Sequence, residues 1–156
     1  QSTTRGCFHG GDGADVDATI DYITILTTGN ATDFGDLTLK HYGGAGCSSN
    51  TIGIRNGGHD NAGTYTNIID QIVIASTGNA TDFGDLRTGL SAHASTSNHT
   101  KGLIAGGNAH SDNDEIQKIT IATAGNASDF GDMTVGRGPH SGTQFAAASG
   151  AHGGLG

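Results

Sequence analysis

Thr28-Gly-Asn-Ala-Thr-Asp-Phe-Gly-Asp-Leu37 is the stretch on which the fold turns. The same ten residues return at Thr77–Leu86. They return again at Ala124–Met133, with Ala124, Ser128 and Met133 as the only changes. A string of this length does not recur three times in 156 residues by chance, so the chain is a tandem repeat. Glycine doublets keep the same step: Gly10-Gly11, Gly57-Gly58, Gly106-Gly107 and Gly153-Gly154 are separated by 47, 49 and 47 residues. One unit is therefore about 48 residues long.

Within a unit the clearest segment is Ile20-Asp-Tyr-Ile-Thr-Ile25, copied at Ile69–Ile74 and Ile116–Ile121. Ile23 and Ile25 fall on one face, and Tyr22 and Thr24 on the other. That period of two, rich in β-branched residues, predicts a strand. No window carries the three-and-four spacing of a helix. A second extended segment leads into each doublet, at Arg5–His9, Gly53–Asn56 and Gly102–Ala105. A first strand of small residues follows each repeated string, at Leu39–Ser48, Thr88–Thr96 and Val135–Ser149. The Asp-Phe-Gly-Asp-Leu element is a short outer strand or turn. Thr28-Gly29-Asn30 and its copies form the tight connection before it, because Gly and Asn tolerate positive φ.

These segments predict an all-β fold of four-stranded antiparallel blades, with three repeats and a partial fourth in a single repeat domain over 1–156. Blade 1 takes about 1–37 and lacks its first strand, blade 2 about 38–86, blade 3 about 87–133, and the partial blade 134–156. The 28 glycines sit at fixed repeat positions, which favours ordered turns over a low-complexity coil. The formal charge is -8, and the seven Lys and Arg form no cluster, so a nucleic-acid partner is not expected. No apolar stretch reaches membrane-spanning length. Cys7 and Cys47 occupy different repeat positions and make no disulfide framework.

Strand, doublet, strand, turn and strand at this period resemble the kelch-type β-propeller repeat. The doublets match, and Phe34, Phe83 and Phe130 stand roughly where that family has Trp. The family's usual Tyr and Trp are absent. The repeated string itself is similar to kelch-like arrays in proteins of aquatic tailed phages and related environmental sequences. The resemblance, with the polar loops and acidic charge, implies a non-enzymatic structural and recognition module. It would be virion-associated (a tail fibre or appendage) or extracellular, and would display loops toward a cell-surface glycan or receptor. The alternatives are a secreted lectin-like or filament-forming repeat protein, or a metal-dependent enzyme. Three blades fall short of a ring, so other copies of the chain or a longer parent chain are expected to complete the ring or stack.

Chemistry-bearing patterns are few. There is no Gly-x-Ser-x-Gly elbow, no phosphate-cradling loop and no His-Glu-x-x-His, so neither an enzyme nor a cofactor is expected. The pairs Asp33/Asp36, Asp82/Asp85 and Asp129/Asp132 read as turn caps accepting backbone N–H groups, with Ca²⁺ ligation as the alternative. His93 and His140 share a register and read as polar positions or as parts of an axial site. The first strands vary most between repeats, which nominates His41, Tyr42, Arg87, His93, Arg137 and His140 as ligand contacts. Asn30, Asn79, Asn98 and Asn126 each open an Asn-x-Ser/Thr triplet, which reads as turn chemistry or, in a glycosylating host, as a glycan acceptor.

Overall fold

Period-two apolar segments punctuated by glycine fold here into strands alone. The computed structural model describes residues 4–12, 16–60, 62–109 and 113–138. Among them are eleven strands and no helix, hence none long and apolar enough to cross a membrane. The first sheet holds β1 (Arg5–Asp12), β2 (Val16–Thr24) and β3 (Thr32–Asp36). The second holds β4 (Ala45–Ser48), β5 (Ile52–Asn56), β6 (Ile68–Val73) and β7 (Thr81–Asp85). The third holds β8 (Ala94–Ser97), β9 (Lys101–Ala105), β10 (Asn113–Thr120) and β11 (Ser128–Arg137). Each sheet is an antiparallel meander in which sequential strands pair.

The first strands are shorter than the sequence predicts. Gly43 at φ 70° and Ala92 at φ 51° occupy equivalent repeat positions, and this left-handed turn ends the extended conformation just before β4 and β8. The sequence places Val135 at the start of a further first strand. It continues β11 instead, which pairs as far as Arg137 with Asn113. Residues 139–149 of that segment lie outside the described residues.

Every copy of Asp-Phe-Gly-Asp carries the same β-bulge. Gly35 and Asp33 pair with the consecutive residues Ile20 and Asp21, so Phe34 has no opposite number. Phe83 and Phe130 are left over in the same way. The following glycines take φ of 144°, 147° and 141°, a region that side chains avoid. The extra residue turns the Phe carbonyl out of its own ladder and toward the next sheet. Gly78 N–H donates to Phe34 O, and Gly125 N–H to Phe83 O, each at 2.7 Å.

That pattern makes a seam between successive sheets, and it occurs twice. Ala80 N–H donates to Asp36 O and Ala127 N–H to Asp85 O. Asp70 accepts the Thr38 hydroxyl and N–H across the first seam, and Gln117 Oε1 accepts the Arg87 N–H across the second. The side chains between these bonds are apolar. Ile20, Phe34 and Leu37 close on Ile72 and Ala80, while Ile54, Ile69 and Phe83 close on Ile104, Ile119, Ile121 and Ala127. Burying each large side chain contributes about 1.5–3 kcal/mol, so these two clusters are the fold's main driving force. Ile72 and Ile119 are buried as the strand pattern requires, and Ile23 in the first sheet is half-buried.

Candidate functional site at the doublet end of the sheets

The glycine doublets at Gly10, Gly57 and Gly106 and the approaches to β4 and β8 gather at one end of the sheets. Gly58 N–H donates to Leu90 O, and Tyr42 and His59 exchange backbone hydrogen bonds at 3.0 and 2.8 Å. The chain passes so close that a Cβ on Gly57 would lie 2.6 Å from Leu90 O, and one on Gly58 2.7 Å from Tyr42 O. Only glycine fits both that approach and a φ of 59° or 114°.

Beneath this crossing lies a buried polar cluster. Arg55 is 4% exposed and donates to Gly57 O at 2.5 Å and to His41 O at 3.2 Å. Asp70 is the charge opposite it, on the paired position of β6. Burial pulls the guanidinium down to about 10, and Asp70 opposes that shift. Asn56 Oδ1 lies 2.6 Å from His93 Nε2 and accepts from Ser95 Oγ at 3.1 Å. His9, His41 and His93 are each held at about 4, by burial first and then by the Arg55 charge. They are therefore neutral at pH 7, and the cluster carries one compensated cation. His41 Nε2, Asn56 Nδ2 and His93 Nδ1 have no hydrogen-bond partner among the described residues.

Above the cluster three rings stand in a rank. Tyr42 and His59 have centroids 4.1 Å apart, and His59 and Tyr65 5.8 Å apart. All three are partly exposed. His59 Nδ1 lies 2.7 Å from Ser91 Oγ. Ser91 is buried, and its hydroxyl also donates to Gly43 O, so this pair ties loops together and offers no accessible nucleophile. Asp60 Oδ1 accepts the N–H groups of Ala62 and Thr64 at 2.9 and 2.8 Å, bracing the loop that carries Tyr65. Those bonds hold the Asp60 carboxyl below its ordinary range.

The sequence-predicted contacts divide between these layers. His41 and His93 belong to the buried cluster, and Tyr42 to the aromatic rank. Arg87 lies apart, paired with Glu115 and 3.8 Å from Asp129 at a solvated site. Arg137 is exposed on β11, and His140 lies outside the described residues. His59, Tyr65, Arg55, Asn56 and Asp70 lie outside the sequence-predicted contacts. Repeat register marks Arg55 and Asn56, which align with the apolar Ile104 and Ala105, whereas Asp70 aligns with the polar Asp21 and Gln117 and carries no such signal.

The repeated carboxylates act on the backbone. Asp33, Asp82 and Asp129 accept the N–H of Gly35, Gly84 and Gly131 at 3.0–3.1 Å, fixing each bulge. Ca²⁺ takes six to eight oxygen ligands, and among the described residues no three His, Cys, Asp or Glu side chains converge to hold a metal ion. Of the second members, Asp36 and Asp85 serve the seams through their main-chain groups, with Asp36 exposed and Asp85 half-buried. Asp132 is exposed on β11, opposite Glu115 in the ladder with β10, and that carboxylate is already taken up by Arg87.

The Asn-x-Ser/Thr positions are turn and seam residues. Asn98 caps its hairpin by accepting from Thr100 and Lys101. Asn30, Asn79 and Asn126 lie before β3, β7 and β11, and the last two bond across the seams. Cys7 and Cys47 are free thiols, with Cys47 packed against the second core and pushed up to about 12 by burial. The chain matches no protein-family model, and no curated protein matches it.

Proposed function

We propose that this chain is a kelch-like, non-enzymatic structural and recognition module, virion-associated or extracellular, that binds a cell-surface glycan through the doublet end of its blades. Three successive meanders joined by a repeated seam support the blade reading. The aromatic rank Tyr42–His59–Tyr65 carries the recognition reading. Such rings offer flat apolar faces to the C–H face of a sugar while their hydroxyl and ring N–H edges stay wet. The loop bearing Tyr65 is braced by Asp60, and Tyr42 is pinned by its backbone bonds to His59, so little order is lost on binding.

A glycan array followed by calorimetric titration of the best hit tests this. Tyr42→Ala and Tyr65→Ala should each weaken binding by about tenfold or more, in line with aromatic anchors at interfaces, with an unchanged far-UV spectrum. An empty array, or variants that bind like the parent, would overturn the reading.

A further inference from the structure

We infer that a second copy of this chain docks head to tail on the first, its first sheet covering the third sheet of its neighbour through a third version of the internal seam. This rests on the stacked-blade reading and adds the partner and its contact residues. On the outer face of the third sheet, Phe130 is 54% exposed, where Phe34 and Phe83 are each 3% exposed. A Cβ on Gly131 would have nothing within 4 Å, whereas one on Gly35 or Gly84 would lie 2.5 or 2.6 Å from the glycine of the next sheet. On the outer face of the first sheet, Ile25 is 52% exposed, where Ile74 is 6% and Ile121 1% exposed. Ala31 is likewise exposed, where Ala80 and Ala127 are buried.

The two open faces are complementary. Phe130 sits in the same bulge whose carbonyl accepts from Gly78 or Gly125 in the internal seams. Gly29-Asn30-Ala31 repeats the segment that donates and accepts there. Polar pairing fixes the match further. Asp70 faces Thr38 and Gln117 faces Arg87, and the positions left over are Asp21 and Thr134, an Asp–Thr pair again. Because the two faces differ, the contact is heterologous and propagates into a ring or a filament according to the rotation per sheet.

Sedimentation velocity with Phe130→Asp and Ile25→Asp tests it, since each variant spoils one outer face and leaves the internal cores intact. The parent should sediment as a multiple of 15.6 kDa and each variant alone as a monomer. Their equimolar mixture should stop at two chains, because one intact face remains on each. A monomeric parent, or variants that assemble like the parent, would overturn the head-to-tail contact. Phe83→Asp serves as the control on the underlying reading. It should abolish the folded far-UV spectrum, and its survival would overturn the internal seam itself and the inference with it.

Discussion

Asn79 Oδ1 accepts the backbone N–H of Asp36 at 3.1 Å, joining two sheets through residues 43 apart in the chain. Asn126 makes the same bond to Asp85 at 3.0 Å. Each bond replaces water on an amide that the bulge has turned out of its ladder. Asn79→Ala and Asn126→Ala should each lower stability by about 1 kcal/mol in urea unfolding, the usual net worth of one such bond. Variants as stable as the parent would show that solvent satisfies the Asp36 and Asp85 amides equally well.

Backbone strain offers a second comparison. Ala92 holds φ 51° where the equivalent residue of the preceding unit is Gly43 at φ 70°. Its N–H donates to Gly43 O at 2.6 Å, so neighbouring bonds hold the strained turn in place. Ala92→Gly should raise stability by about 0.5–1 kcal/mol, the left-handed penalty less the added freedom of the unfolded chain. Gly84→Ala should do the reverse. Its φ is 147°, and the new methyl would meet Gly125 backbone at 2.6 Å, so a loss of about 2 kcal/mol or more is expected. Thermal melts of the two variants should move in opposite directions.

Acid should loosen the fold through the buried imidazoles. His9, His41 and His93 titrate at about 4 in the folded chain against an ordinary 6.5, so between those values the unfolded chain binds more protons. Stability is therefore fully present above about pH 6.5 and is lost as pH falls toward 4. Asp70, raised by burial, works in the opposite sense at the acid end. His41→Leu copies the equivalent Leu90, which is equally buried, and removes the unpartnered Nε2. The variant should match the parent to within about 1 kcal/mol at pH 7 and show a shallower decline toward pH 4. An identical decline would place the acid sensitivity elsewhere.

Much of the architecture was legible because it is written three times. The copied string located β3, β7 and the start of β11, and the alternating isoleucines located β2, β6 and β10. The capping role of Asp33, Asp82 and Asp129 was also readable, since Asp beside Gly bonds its own turn. The length of the first strands was not. Ala92 looks like an ordinary strand residue, and only its tertiary surroundings force it left-handed. Nor was the second use of Asn79 and Asn126, because Asn before Ala-Thr or Ala-Ser reads as a local turn residue while its partner lies a whole unit away. The aromatic rank drew Tyr42 from one unit's approach segment and His59 and Tyr65 from beyond the next doublet, a meeting that no spacing announces.

The bulge at each Phe has a consequence for how such a chain grows. The hydrogen bonds of the two seams each join a sheet to its immediate neighbour. Duplicating the coding segment for residues 38–86 would insert a further sheet whose Phe bulge and Gly-Asn-Ala segment match the seams on both sides. Array length is thus free to drift by whole units, while the ends inherit whatever adhesion the interior uses.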